Sequence, residues 1–397
     1  MAGASVVAGA AIGAGMLAMP VASAGMGFGW SIACLALTCF FMLNSGLFLL
    51  EVNLRFPPGA SFDTVIGATL GEGWKRLNNV ALVFVLYVLC YAFTSGGGSV
   101  LSGWLAASMG VEVSPRIAGF VFCVAHALAI WWGTAAVAGI ATVVVAGMVL
   151  AYLASLAGLA VDLRADLLLS VQPAWAGFAF AALPLLLTSF GYHGNVPSLV
   201  KLYGTDPRPS VRAITGGCVL ALLAYVSWQT VVFGRIPRES LAGIAGGNVG
   251  ALVGALGAAD PARVLPLLGV FANLALISSF LSGALGLFDW LADRLRIADD
   301  RRGRALTASI TLGPPAAASL VWPDGFVAAI GFAGLLAAVP SLLVPALAAR
   351  ASRRAPADGL YRAWGGVLLL FATMAFGVVV MLCHLLAMVG VLPVLGR

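Results

Sequence analysis

Apolar residues run along this chain in long unbroken stretches, and the charged residues sit in the short segments between them. A helix needs about 20 apolar residues to cross a bilayer, and charge-free windows of that order predict eleven spans, at roughly 3–25, 28–50, 77–108, 116–132, 134–161, 176–200, 211–233, 262–290, 305–322, 325–347 and 365–392. The runs are continuously apolar, whereas barrel strands alternate at every second residue over about ten. The expected fold class is an all-α integral membrane protein, one transmembrane unit over residues 1–397.

Composition sharpens this picture. Of the 397 residues, 61% are hydrophobic and 9% charged, against roughly 25% charged in soluble domains. That excludes a soluble globular protein, and so high a hydrophobicity excludes a disordered one. The net charge of +6 does not point to nucleic acid, because the basic residues form no patch interleaved with aromatics. They form short clusters between apolar runs, which is how topology is encoded. With the N-terminus inside, loops facing the cytoplasm hold 15 of the 21 Lys and Arg residues, and the opposite side holds the other six, Arg397 among them. The expectation is a cytoplasmic N-terminus, a periplasmic C-terminus and an odd number of spans. The six cysteines (Cys34, Cys39, Cys90, Cys123, Cys218 and Cys383) lie inside apolar runs without CxxC spacing. They read as small buried hydrophobes, so neither a disulfide framework nor a metal site is expected. No basic region precedes the apolar start, so no cleavable signal peptide is expected.

Two runs are interrupted. Gly13-Ala14-Gly15-Met16 breaks the first, and the stretch from Ser189 to Ser198 breaks the sixth. Glycine costs roughly 1 kcal/mol in a helix interior and proline about 3, so both sites predict unwound backbone. At membrane depth such backbone must be buried in protein or line a cavity. For Gly13 and Gly15, close helix packing through small residues explains the pattern equally well. The second break gathers Tyr192, His193, Asn195 and two serines, and it reads as a functional site. Breaks in spans one and six are expected of two five-helix repeats of inverted topology, at about 3–161 and 176–347, with an extra helix at about 365–392. Free N–H groups at half-helix N-termini attract a carboxylate, and free carbonyls attract a cation. A zwitterionic amino acid presents both.

Four segments carry a family resemblance: Gly13-Ala14-Gly15-Met16-Leu17-Ala18-Met19-Pro20, Leu49-Leu50-Glu51-Val52, Ser189-Phe190-Gly191-Tyr192-His193-Gly194, and Gly286-Leu287-Phe288-Asp289-Trp290-Leu291-Ala292-Asp293. They resemble the signatures of the bacterial hydroxy/aromatic amino acid permeases, with the tyrosine permease branch nearest and the tryptophan permeases beside it. The likeness runs in order over nearly the whole chain. It implies a leucine-transporter-like fold with helices 1 and 6 broken. It also implies proton-coupled uptake of aromatic amino acids, tyrosine favoured, across the bacterial inner membrane, by a monomer or loose homo-oligomer within the lipid bilayer. No cofactor is implied beyond the coupling ion. The start departs from the family, entering the first span without a short basic leader.

Substrate-binding candidates are Gly13, Ala14, Gly15 and Met16 in the first break and Phe190, Gly191, Tyr192, His193 and Asn195 in the second. Ser95 and Gly96 join them from the small polar run Thr94–Ser99, which either leaves room for an aromatic ring or forms a packing seam. Intramembrane ionisable residues are functional candidates by default, so the proton-coupling candidates are Glu51, His193 and Asp289. Plainer readings pair Glu51 with Arg55 and place Asp289 in a salt bridge at a helix end. His126 and His384 read as structural and Lys201 as a headgroup anchor. Ser278 and Ser279, with Ser282, form a possible cation site beside the first break and keep sodium coupling as the alternative. Back-bonding of serine to the preceding turn is the plainer reading there. The segment from Ser240 to Asp260 reads as an external lid.

An enzyme is not expected. The sequence has no GxSG elbow, HExxH pair or GxGD motif, and no GxxxxGK[ST] loop for ATP-driven transport. Nor does it show the filter repeats or charge rings of a channel.

Overall fold

The computed structural model describes residues 2–244, 248–258, 262–354 and 361–395, and every regular element among them is helical. In chain order these are α1 (Ala2–Ala11), α2 (Gly15–Ser23), α3 (Gly27–Asn53), α4 (Phe62–Leu70), α5 (Glu72–Met109), α6 (Pro115–Trp132), α7 (Thr134–Leu159), α8 (Ala165–Leu169) and α9 (Phe178–Ser189). They continue as α10 (Val196–Tyr203), α11 (Pro207–Phe233), α12 (Arg238–Ala242), α13 (Val249–Gly257), α14 (Val264–Leu295), α15 (Arg301–Val321), α16 (Phe326–Ala338), α17 (Val344–Ser352) and α18 (Gly366–Met388). Local chemistry sets several limits. Ser61 Oγ accepts the Thr64 N–H at the start of α4, and Asp300 Oδ1 accepts the Gly303 N–H at 2.6 Å at the start of α15. Each satisfies one of the N–H groups a helix start leaves unpaired. Gly110, in the left-handed region at φ 66°, ends α5.

Among the described residues, nine helical stretches are long and apolar enough to cross a bilayer, against the eleven spans expected. The difference has two sources. The first expected span is split into α1 and α2, of 10 and 9 residues, and the second of these runs on with α3 as one stretch. The expected span at 305–322 corresponds to α15, which opens on Arg301, Arg302 and Arg304, carries Pro314 and Pro315 inside, and is not among the nine.

The helices pack in two groups. α1, α2, α3, α9, α10 and α11 pack among themselves, and so do α5, α6, α14 and α15. α7 lies on α14, while α16 bridges the groups by packing on both α5 and α9. α18 covers α16 and α9. Between α16 and α17 the chain widens into a π turn at Val339–Leu343, where Pro340 and Pro345 withhold backbone donors. The start of α1, α4 and the starts of α5 and α7 share one side of the molecule with the end of α14. Helices α8, α12 and α13 lie on the other.

The segment expected to act as a lid contributes α13, which packs on α5 and α14. Asn248 Nδ2 there donates to Asp324 Oδ1 at 3.0 Å. Residues 245–247 and 259–260 of that segment, like Arg397, lie outside the described residues.

Candidate functional site

The first break spans Ile12 to Ala14. Ile12 N–H still reaches Ala8 O, and a new helix starts with Met16 N–H donating to Gly13 O and Leu17 N–H to Ala14 O, both at 3.1 Å. Ala14 N–H donates instead to Ser279 Oγ on α14, at 2.9 Å. A Cβ on Gly13 would overlap that same oxygen, and one on Gly15 would come within 2.9 Å of Ser189 Oγ. At both positions a side chain would force a serine hydroxyl, of α14 or of α9, to move.

The second break begins where α9 tightens. Phe190 N–H donates to Leu187 O and Gly191 N–H to Thr188 O, and a 3-10 turn at His193–Asn195 then leads into α10. Pro197 sits in the first turn of α10, where its missing N–H has no helical partner to lose. Tyr192 turns away from the break: its hydroxyl donates to Met42 O of α3 at 3.0 Å. A Cβ on Gly46 would overlap that hydroxyl. Gly46→Ala is therefore expected to expel Tyr192 and destabilise the protein by about 1–3 kcal/mol, the usual cost of overpacking. A thermal melt of the purified variant in detergent checks this, and an unchanged midpoint would refute it.

His193 stacks on Tyr192 with ring centroids 4.7 Å apart. Both of its ring nitrogens are buried without a hydrogen-bond partner, where an unsatisfied buried polar atom costs about 1–3 kcal/mol.

The two breaks meet at one cavity of about 700 Å³, within the range of roughly 300–1,000 Å³ for small-molecule sites. Gly13, Gly15, Ser189, Gly191, Tyr192, His193, Asn195, Ser278 and Ser279 all line it. From there it extends toward the α4 side, past Ser5, Val6 and Gly9 of α1, Phe62 of α4 and Val137 and Ala141 of α7. Its remaining wall is largely apolar, with Leu86, Phe93 and Ile330.

Other sequence candidates lie elsewhere. Ala14, Met16 and Phe190 are fully buried and do not line the cavity. The Ser95 hydroxyl donates to Pro323 O, and Gly96 faces Phe326 and Leu276, so this run forms the packing seam and leaves no ring-sized slot.

Glu51 pairs with Arg353, not with Arg55. Arg353 Nε lies 2.7 Å from Oε1 and Nη2 2.6 Å from Oε2, and Ala363 N–H donates to Oε2 at 2.9 Å. Arg55 instead donates to Ser352 O. Burial beside the Glu51 carboxylate pushes the nearby Tyr361 phenol up to about 12.

Asp289 is exposed toward the end of α14, one turn beyond Leu285 of the cavity wall, and does not itself line the cavity. Lys201 is exposed at the end of α10. His126 Nδ1 lies 2.6 Å from Phe122 O, and His384 packs edge-on against Phe332. All six cysteines are buried free thiols.

Sequence reading passed over Tyr225 of α11. Its hydroxyl lies within hydrogen-bond distance of both Ala11 O, at the end of α1, and Ser189 O, at the end of α9. Its ring stands edge-on to Phe190, with centroids 5.0 Å apart. The only local signal is a lone phenol in the middle of a charge-free run.

Residues 1–384 match the tryptophan/tyrosine permease family. The chain is 45% identical to a tryptophan-specific transport protein of Pseudomonas aeruginosa, over 98% of this chain and 95% of that protein. It is 42% identical to a tryptophan-specific transport protein of Shigella flexneri, over 99% and 96%. It is 36% identical to a tyrosine permease of Enterobacter agglomerans, over 91% and 90%. A match that spans nearly the whole chain, on a helical scaffold whose two breaks share one cavity, places this protein in the tryptophan/tyrosine permease family, a family of membrane transporters and not of enzymes.

Proposed function

We propose that this protein imports aromatic amino acids, tryptophan foremost, by proton symport through alternating access. The observation that carries the reading is that both helix breaks, one in each five-span repeat, open onto a single cavity. The tryptophan-specific relatives, at 45% and 42% identity, stand nearer than the tyrosine permease at 36%, which favours tryptophan over the tyrosine expected from the sequence motifs.

Helix packing supports two inverted repeats of five spans. In the eleven-span numbering, α5 and α6 (spans three and four) pack together as do α14 and α15 (eight and nine). The α5–α15 contact answers α14–α6, and α5–α16 answers α14–α7. The pairs α2–α9, α3–α11 and α5–α14 map onto themselves. Adding five to each span number thus returns most of the same neighbours, as an internal two-fold axis requires. The symmetry fails where α6 packs on α7 without a comparable α15–α16 contact, and it fails at the cavity. α16 closes on α2 and α9, whereas the corresponding place between α7 and α1 is where the cavity opens. The excess of basic residues in the loops on the α4 side supports a cytoplasmic location for that side, and the cavity that opens toward it is then read as an inward-facing state of a multi-pass inner-membrane protein.

His193 is the proton-coupling group that geometry favours. Glu51 is locked to Arg353 and Asp289 does not line the cavity, while His193 lines it with no partner on either ring nitrogen. Ser278 and Ser279 line the same cavity, and Ser279 Oγ keeps a lone pair after accepting the Ala14 N–H, so sodium coupling is the alternative that the gradients must separate.

Purified protein in liposomes tests the reading. Labelled tryptophan is expected to accumulate under an inward proton gradient, compete with tyrosine and phenylalanine, and not accumulate under a sodium gradient alone. His193→Ala is expected to lose most of that accumulation, and His384→Ala to keep it. Accumulation that follows sodium only, or entry of no aromatic amino acid, would overturn the proposal.

A further inference from the structure

We propose that the junction of α17, α18 and α3 holds the phosphate of an anionic glycerophospholipid of the cytoplasmic leaflet, through Arg350, Arg354 and Arg362. The site goes beyond amino acid transport. It takes from the reading above only the orientation, which puts this junction on the cytoplasmic side because α17 packs on α4.

Residues 350–371 carry four arginines, Arg350, Arg353, Arg354 and Arg362. Arg353 is engaged: it faces Glu51 and donates to Ala363 O and Gly366 O. The other three are exposed and form no hydrogen bond or ion pair among the described residues. None of the described residues in this stretch is acidic, and Asp358 lies outside them. Three guanidiniums are thus left without a counter-ion from the described part of the chain. The Glu51–Arg353 pair draws them together. Arg350 stands one turn before Arg353 and Arg354 directly after it, while Arg362 adjoins Ala363, whose N–H and C=O are both held by the pair.

The surroundings place these groups at the membrane surface. Arg350 lies over the ring of Phe371 on α18, its Cζ 4.9 Å from the centroid. Phe371 is itself exposed, and Leu368, one turn earlier, is 82% exposed. Trp364, 58% exposed, stands edge-on to Phe40 of α3. Large apolar side chains exposed on a spanning helix face acyl chains, and tryptophan marks the level of the headgroups. A guanidinium resting on such a ring keeps its stem in the apolar layer and its N–H groups among the headgroups. There its planar fork matches two phosphate oxygens, and basic clusters just cytoplasmic of a spanning helix attract anionic lipid. A zwitterionic lipid carries the same phosphate but also a cation, which the three guanidiniums repel. Free phosphate fits the arginines but draws nothing from the apolar face of Leu368 and Phe371, where acyl chains would lie.

Native mass spectrometry of protein purified in neutral detergent tests the site, reading the fraction that carries one added lipid. Phosphatidylglycerol is expected to bind at least about 10-fold more tightly than phosphatidylcholine, and equal affinity would overturn the proposal. Combining Arg350→Gln, Arg354→Gln and Arg362→Gln is expected to weaken phosphatidylglycerol by roughly 10-fold to 100-fold, because each basic group near an anionic surface contributes about a fivefold factor. Combining Arg294→Gln, Arg301→Gln and Arg302→Gln removes the same charge from exposed positions at the turn between α14 and α15. That control is expected to bind as wild type does, and an equal loss in both variants would reduce the effect to general charge attraction and overturn the site. Excess inorganic phosphate is expected to leave the lipid bound, and displacement by phosphate would overturn the lipid as the ligand. The readout involves no transport, so its failure and the failure of the aromatic amino acid reading are separate results.

Discussion

Replacing Glu51 by alanine is expected to destabilise the protein by about 3–5 kcal/mol, the cost of leaving a buried charge without its partner. Glu51 is fully buried on α3, and the Arg353 side chain facing it is 6% exposed. The pair is bidentate, and Arg353 also donates to Ala363 O and Gly366 O, in the chain that leads into α18. A single ion pair thus fastens α3 to the end of α17 and the start of α18. Glu51→Gln keeps an acceptor for Ala363 N–H but cannot neutralise Arg353, so it is expected to be nearly as damaging. Replacing both partners at once, Glu51→Leu with Arg353→Met, is expected to recover most of the loss, because paired apolar groups of similar volume leave no charge stranded. Thermal unfolding in detergent, followed by size-exclusion chromatography, reads all three. The proton-carrier reading of Glu51 makes the opposite prediction. A protonated carboxyl resembles an amide, so Glu51→Gln would then fold normally and transport without coupling. A well-folded Glu51→Gln protein whose tryptophan uptake ignores the proton gradient would restore Glu51 to the mechanism.

The second large effect is expected at Gly13. Gly13→Ala would drive a methyl group into Ser279 Oγ and displace the acceptor of the Ala14 N–H. Overpacking costs about 1–3 kcal/mol and a lost hydrogen bond about 0.5–1.5. Together these amount to a loss of roughly 10-fold to 1,000-fold in population of the transport-competent geometry, if the strain falls there and not on global stability. Both partners stand at the cavity wall, so affinity and maximal rate of tryptophan uptake should fall together. Gly13→Ala combined with Ser279→Gly removes the clash without restoring the hydrogen bond, and it should recover part of the uptake. That makes a double-mutant cycle with a coupling of the kind contacting residues show. Additive losses in the cycle would mean that Gly13 and Ser279 act independently, and that the close approach has no bearing on transport.

Most of the scaffold was legible in the pattern of residues. Long apolar runs can only be spanning helices, since a backbone in lipid must satisfy its own hydrogen bonds. The two clusters of glycine and proline could only weaken those helices, and both breaks fall where they were expected. The motifs around Gly13, Glu51, Ser189 and Asp289 sufficed for the family. Counting spans was harder, because α1 and α2 are each too short alone and α15 starts among arginines.

What the sequence by itself determined was therefore that the chain is built of long apolar helices, where it unwinds and what class of protein it is. These follow from length, apolarity and local backbone cost, all properties of neighbours in the chain. Only the tertiary structure decided which polar group meets which. It paired Glu51 with Arg353 across 302 positions and not with nearby Arg55, turned Tyr192 into α3, engaged Ser279 with Ala14 and brought Tyr225 between two helix ends. The physical reason lies in the solvent. Lipid is as apolar as a protein interior, so these helices carry no polar face to show which side packs inward, and a lone serine or tyrosine gives no sign of its direction until the helices have docked.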